Sequence, residues 1–166
     1  MQKTVSHSRT EMSQLMLPQH ANMAGFVYGG TILFTADSVA YVCAARHAGA
    51  NCVTASVDKV DFRQPIRIGD LVTFLASVNY TGRSSIEVGI KIFAEDFKTG
   101  VKRHTNSCYF TMVHLDDAGH PKEVPQIIPE TDDERRRYAD GKKRREARAA
   151  LHKQIVEHPH GGTKCT

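Results

Sequence analysis

The sequence has no tryptophan, and aromatic residues fill only 7% of its 166 positions. It also lacks any apolar run near the ~20 residues that cross a bilayer as a helix, so no membrane span is expected. Its first residues, MQKTVSHSRTEMSQ, have no apolar segment of the kind a secretory signal needs, and the protein is expected in the cytosol. Cysteine is scarce: Cys43, Cys52, Cys108 and Cys165 form no C-x-x-C pair and no zinc-ligand spacing. Neither a metal site nor a disulfide is expected, and the first three cysteines read as small buried hydrophobes. A strong charge of one sign is missing as well. Residues 1–129 carry 12 Lys and Arg against 11 Asp and Glu, whereas 130–166 carry 10 against 7. The basic excess belongs to the tail, so the composition does not suggest a nucleic-acid binder.

What the chain does contain is one long apolar segment followed by alternation. Residues 10–17 read as a strand ended by Pro18, and 19–28 as a loop. From Gly29 the text GGTILFTADSVAYVCAARHAG reads as a helix stopping at Gly49, and between positions 29 and 45 Asp37 is its one charged residue. A helix apolar nearly all round is expected to be buried. Beyond Gly49 the period becomes two. Residues 52–62 place Val53, Ala55 and Val57 on one face. Val72, Phe74, Ala76, Val78 and Tyr80 share a face, as do Ile86, Val88, Ile90, Ile92 and Ala94. A last long strand covers 102–115, and short polar turns join the strands into an antiparallel meander.

One strand, a long apolar helix and about four further strands make an α+β fold in which an antiparallel sheet curls around the helix, the hot-dog arrangement. Residues 1–125 are expected to form this domain. Residues 126–166 read as a basic helical tail, interrupted at Gly141 and disordered at its end, with acids first and bases later as the helix dipole favours. The run Lys142, Lys143, Arg144 and Arg145 reads most simply as a solvated helix face.

Asp37 is the first candidate for chemistry, because a carboxylate inside an apolar helix is costly unless paired. It could accept structural hydrogen bonds, face an exposed strip, or act as a catalytic base. Gly29 and Gly30 open the helix, where free N–H groups and the dipole would stabilise a developing oxyanion; the plainer reading is a turn. Asp37 follows them by two helical turns, ~11 Å along the axis. One reacting carbon could not touch both within a subunit, so a single site using both would be shared across a dimer. Asn22 could orient water or substrate, or simply form a turn. His20 could serve as an acid or base. Thr81, Gly82, Arg83, Ser84 and Ser85 join two strands and offer groups suited to a phosphate or an amide, although an ordinary hairpin fits equally well.

Three stretches together resemble the bacterial hot-dog acyl-CoA thioesterases: ANMAGFVYGGTILFTADSVAYVCAAR, VTASVDKVDFRQPIRIGDLVTFLASVNYTGRSS and HTNSCYFTMV. The resemblance spans roughly residues 10–116. It implies hydrolysis of acyl-CoA without a cofactor, with Asp37 as the acting carboxylate and Asn22 assisting. It also implies contact of the Thr81–Ser85 turn with coenzyme A, and pairing into dimers assembled further into hexamers. Two other functions fit the residues: a β-hydroxyacyl thioester dehydratase using His20 beside Asp37, and a non-catalytic module binding acyl-CoA or nucleic acid through the basic tail.

Overall fold

A computed structural model describes residues 1–58 and 60–157. Among these described residues, eight strands and two α-helices follow the order β1 (Gln2–Thr4), β2 (Thr10–Leu15), α1 (Gly29–Ala48), β3 (Cys52–Val57), β4 (Asp61–Phe62), β5 (Leu71–Thr81), β6 (Ser85–Glu95), β7 (Lys102–His114), β8 (Gln126–Ile128) and α2 (Asp132–Glu157). The main sheet has the order β2-β5-β6-β7-β3, antiparallel throughout, with β4 also pairing with β7. A small parallel pair, β1 with β8, ties the first residues to the segment after β7.

The alternation explains the sheet. Val72, Phe74, Ala76 and Val78 of β5, Ile86 to Ala94 at every second position of β6, and Cys108, Phe110 and Met112 of β7 are all essentially inaccessible. Each such aliphatic side chain contributes roughly 1.5–3 kcal/mol relative to exposure. They close on α1, whose Ala36, Ala40 and Ala44 recur every fourth residue on the buried face beside Val39 and Cys43. Small residues along one helix face let the sheet approach and curl around it. The helix ends at Gly49, which takes the left-handed conformation (φ 73°) while its N–H bonds to Ala45 O at 2.8 Å. Among the described residues, no helix is long and apolar enough to cross a membrane.

Three expectations need correction. The single strand over 52–62 is two: a bulge between Thr54 and Ser56 shifts the register, β3 ends at Val57, and β4 (Asp61–Phe62) pairs separately with β7. Helix α1 is buried on the sheet side but not all round, for Phe34 is 77% and Tyr41 40% exposed. The third correction concerns Gly141, which does not interrupt α2. A Cβ there would lie 2.8 Å from Tyr80 Cβ and 2.9 Å from Glu87 Oε1, so the missing side chain lets the helix backbone lie close against the sheet. Alanine normally improves a helix by about 1 kcal/mol over glycine. Here Gly141→Ala should instead lower the urea midpoint, by about 1–3 kcal/mol of overpacking.

Helix α2 packs without an apolar stripe. Its start is fixed by Thr131 and Glu134: Glu134 N–H donates to Thr131 Oγ1, and Glu134 Oε2 accepts from the N–H groups of Thr131 and Glu130. The face toward the sheet carries Arg144 and Arg148 rather than aliphatics. Arg144 pairs with Glu87 (2.7 Å), a 2% exposed carboxylate on β6, and lies over the Tyr109 ring. Arg148 pairs with Asp58 at 2.5 Å and approaches Glu87 at 3.6 Å. The basic run is therefore only partly a solvated face, because Lys142 and Lys143 are exposed but Arg144 is committed to a buried acid. The chain end, including Cys165, lies outside the described residues.

His47, near the end of α1, is fully buried, and its Nε2 lies 2.8 Å from Pro125 O. Burial holds its pKa below the usual 6.5, although the bond to Pro125 opposes the shift. Below about pH 6.5 the unfolded chain binds this proton and the folded chain does not, so stability falls on acidification by at most about 1.4 kcal/mol per pH unit. Between about pH 7 and pH 5.5, the denaturant midpoint of His47→Gln should fall less than that of wild type.

Candidate active site

Asp37 is half-buried, not enclosed, on α1. Its Oδ1 accepts a hydrogen bond from Thr54 Oγ1 at 2.6 Å. Thr54 lies on β3, the strand that flanks the helix at this edge of the sheet. The short bond to a charged acceptor fixes the carboxylate rotamer and leaves Oδ2 for another partner. Sequence reading passed over Thr54, because the apolar alternation of Val53, Ala55 and Val57 drew attention to the other face. In this chain that face is open, with Val53 and Val57 each 46% exposed.

The start of α1 is bare, as the glycine pair suggests. Tyr28 O accepts from the N–H groups of Thr31 (3.1 Å) and Ile32 (3.4 Å), whereas those of Gly29 and Gly30 find no backbone acceptor among the described residues. A Cβ on Gly30 would meet nothing within 4 Å, while one on Gly29 would press on the Phe62 ring at 3.0 Å. Gly30 is thus an open approach to two free donors at the positive end of the helix dipole.

The preceding loop is tightly built around Asn22. Its Oδ1 accepts from Ala24 N–H (2.9 Å) and Phe26 N–H (3.1 Å), and its backbone N–H donates to Phe26 O at 2.7 Å. Asn22 organises the turn, and its carboxamide nitrogen remains available as a donor. His20 Nδ1 accepts from Leu17 N–H at 3.1 Å, so a neutral ring carries its proton on Nε2. His20 and Gly30 line the same groove, of about 690 Å³, with Met12, Phe34 and Ser38.

The turn from Thr81 to Ser85 is more committed than its sequence suggests. Thr81 Oγ1 accepts from Ile127 N–H at 3.0 Å, Gly82 N–H donates to Ser85 O at 2.8 Å, and Gln126 Nε2 donates to Gly82 O at 3.0 Å. The Arg83 side chain is exposed, and Ser84 and Ser85 are partly so. The register runs Thr54–Met112–Ile86–Thr81 across four strands. At ~4.8 Å per step, Thr81 stands roughly 14 Å from Thr54, and Ser85, two strands away through Val113, roughly 10 Å from Val53. The structure therefore brings Asp37 to Thr54, and His20 and Asn22 to the loop before Gly29 and Gly30. It leaves these two groups two helical turns apart and the Thr81–Ser85 turn separate from both.

One curled antiparallel sheet around a helix that bears a single carboxylate is the hot-dog architecture of thioester enzymes. Residues 24–101 match the family profile described as the Thioesterase superfamily. The chain is 48% identical to Protein VdlD of Helicobacter pylori over 87% of its own length and 83% of that protein's. It superposes on an acyl-CoA hydrolase from Staphylococcus aureus, solved in complex with butyryl coenzyme A, coenzyme A and coenzyme A disulfide. That likeness has a TM-score of 0.85 and 38% identity, covering 95% and 98% of the two chains. An apo-hexameric acyl-CoA thioesterase gives a TM-score of 0.88 at 37% identity, over 92% and 98%. The chain belongs to the hot-dog acyl-CoA thioesterase family. The Staphylococcus aureus enzyme was also solved with one asparagine, one aspartate and one threonine each replaced by alanine. Those positions are 15 residues (Asn to Asp) and 17 residues (Asp to Thr) apart. Asn22, Asp37 and Thr54 have the same spacing here.

Proposed function

We propose that this chain hydrolyses acyl-CoA thioesters to a free acid and coenzyme A, with Asp37 as general base. The observation that carries the reading is the half-exposed Asp37 carboxylate held by Thr54 on a helix whose uncapped, glycine-lined start lies two turns earlier. Water would lose a proton to Asp37 Oδ2 as its oxygen attacks the thioester carbon. The N–H groups of Gly29 and Gly30 would receive the oxyanion, and the proton would pass to the departing thiolate. Direct attack by Asp37 through an anhydride is the mechanistic rival. Asn22 Nδ2 would orient the water or the carbonyl. Coenzyme A would lie toward the turn of Thr81, Gly82, Arg83, Ser84 and Ser85, with Arg83 meeting a phosphate. This scheme needs no metal or organic cofactor, and its place is the cytosol.

The two-turn separation argues that Asp37 and the amides meet across a dimer, and the exposed Phe34 and Tyr41 on α1 give such a partner an apolar face. The hexameric neighbour supports assembly beyond the dimer. Phe34→Glu should lower the mass seen by light scattering toward that of one chain and abolish turnover together with it. A nucleic-acid role for the tail is disfavoured, since Arg144 and Arg148 are engaged by Glu87 and Asp58. The test is thiol release by wild-type protein from straight-chain acyl-CoAs of increasing length. If no member releases thiol, hydrolysis is excluded, and dehydration of β-hydroxyacyl thioesters becomes the next assay.

A further inference from the structure

The face of the sheet turned away from α1 holds a second cavity. Side chains along β5, β6 and β7 alternate, so the residues facing Asp37's helix are the core set, and the outer row runs Ser77–Gly89–Tyr109 beside Leu75–Lys91–Ser107. Between this outer row and α2 lies a hollow of about 550 Å³, in the range of small-molecule sites.

Two local features build it. The register shift between Val78 and Tyr80 places Asn79 in a bulge, and its side chain lines the hollow. Bulges of this kind re-aim a side chain. Gly89 makes room, for a Cβ there would fall 2.3 Å from Asn79 Nδ2. Asn79 is 5% exposed, yet its carboxamide has no hydrogen-bond partner among the described residues. The amide opens into the hollow, where a ligand oxyanion can take the place of water as its hydrogen-bond partner.

The walls define the ligand class. Five cations (Arg9, Lys91, Arg136, Arg137 and Arg144) line the hollow against two acids, Glu11 and Asp140. Arg9 is paired with Glu134, Arg136 and Arg137 with Asp133, and Arg144 with Glu87, whereas Lys91 is exposed and has no ion pair among the described residues. Arg137 also reaches Ser77 Oγ at 3.5 Å, which leaves its guanidinium at the edge of the hollow. The floor is partly apolar, with Leu75 39% exposed and Phe93 beside it. We infer that this outer cavity, framed by Asn79, Lys91 and Arg137, is a second binding site for a small organic oxyanion with an apolar body, of which a medium-chain carboxylate is the matching example. The oxyanion meets Lys91, Arg137 and the Asn79 amide, and the tail lies on Leu75 and Phe93. The acid released by thioester hydrolysis belongs to this class. That link to product rests on the proposed reaction, whereas the site itself does not.

The experiment is calorimetric titration of sodium octanoate into the full chain, with and without saturating coenzyme A to occupy the thioester site. Octanoate should bind saturably in both conditions. Asn79→Leu should weaken binding at least about tenfold while leaving thiol release unchanged, since the cavity is across the sheet from Asp37. Lys91→Gln, at an exposed position where folding is not at stake, should weaken it severalfold. Octanol and inorganic phosphate, each carrying half of the recognised chemistry, should bind at least about tenfold more weakly than octanoate. The inference is overturned by no octanoate binding, by binding removed by coenzyme A, or by equal binding in Lys91→Gln and a folded Asn79→Leu. Phosphate binding as tightly as octanoate also overturns it, by showing an anion patch without a tail site.

Discussion

Asp37→Ala should release thiol from acyl-CoA at least about a hundredfold more slowly than wild type, with an unchanged circular dichroism spectrum. General-base contributions are about 10²–10⁴-fold, and the substitution removes the one carboxylate on α1 without opening the core, because Asp37 is only half-buried. Thr54→Ala isolates a smaller share. It deletes the 2.6 Å bond to Asp37, and a hydrogen bond to a charged group is worth about 1.5–3 kcal/mol. The expected loss is at least about tenfold, mainly in kcat, because the aspartate remains but is no longer held in one rotamer. If Asp37→Ala keeps a rate within about fivefold of wild type, the role of general base goes to another group, and His20 is the first to examine.

Arg144→Met should destabilise the protein by about 3 kcal/mol, since removing one partner of a buried ion pair leaves the other charge uncompensated. Glu87 is 2% exposed, and after the substitution its nearest cation is Arg148 at 3.6 Å. For a chain of this size the loss corresponds to about 6–12 °C in Tm. The double variant Glu87→Leu with Arg144→Met should recover much of this, because buried pairs are often replaceable by apolar residues of similar volume. A single variant as stable as wild type would mean that solvent reaches Glu87 and that α2 is held by other contacts, such as Tyr138 against Tyr80 at 5.1 Å between ring centres.

How much of this was legible in the sequence differs by element. The helix from Gly29 and the strands of the meander announce themselves through periods of 3.6 and two, because each buries one face against a partner of the same chemistry. The antiparallel sheet curled around one helix was therefore readable, and so was Asp37 as a charge out of place. The docking of α2 was not. Arg144 and Arg148 look like solvated bases until Glu87 and Asp58, 57 and 90 positions away, are seen beneath them. Gly141 misled for the same reason, since glycine weakens an isolated helix but here admits the backbone to the sheet. Thr54 escaped because a hydroxyl in a strand has no pattern of its own, and its meaning comes from Asp37 lying opposite. The open side of α1 was likewise invisible: an exposed apolar residue such as Phe34 has the same letter as one facing the core.

Burial of Cys43, Cys52 and Cys108 also sets what can be measured on this protein. Removal from water pushes the Cys43 and Cys108 thiols up to about 12 and Cys52 up to about 11. The reactive thiolate is then scarce at neutral pH. With Cys165 substituted, a disulfide reagent used to count released coenzyme A would read product against a silent protein background. Without substrate, the same reagent becomes a clock for opening: Cys43 on α1, Cys52 on β3 and Cys108 on β7 would each be labelled at the rate at which its own element leaves the core.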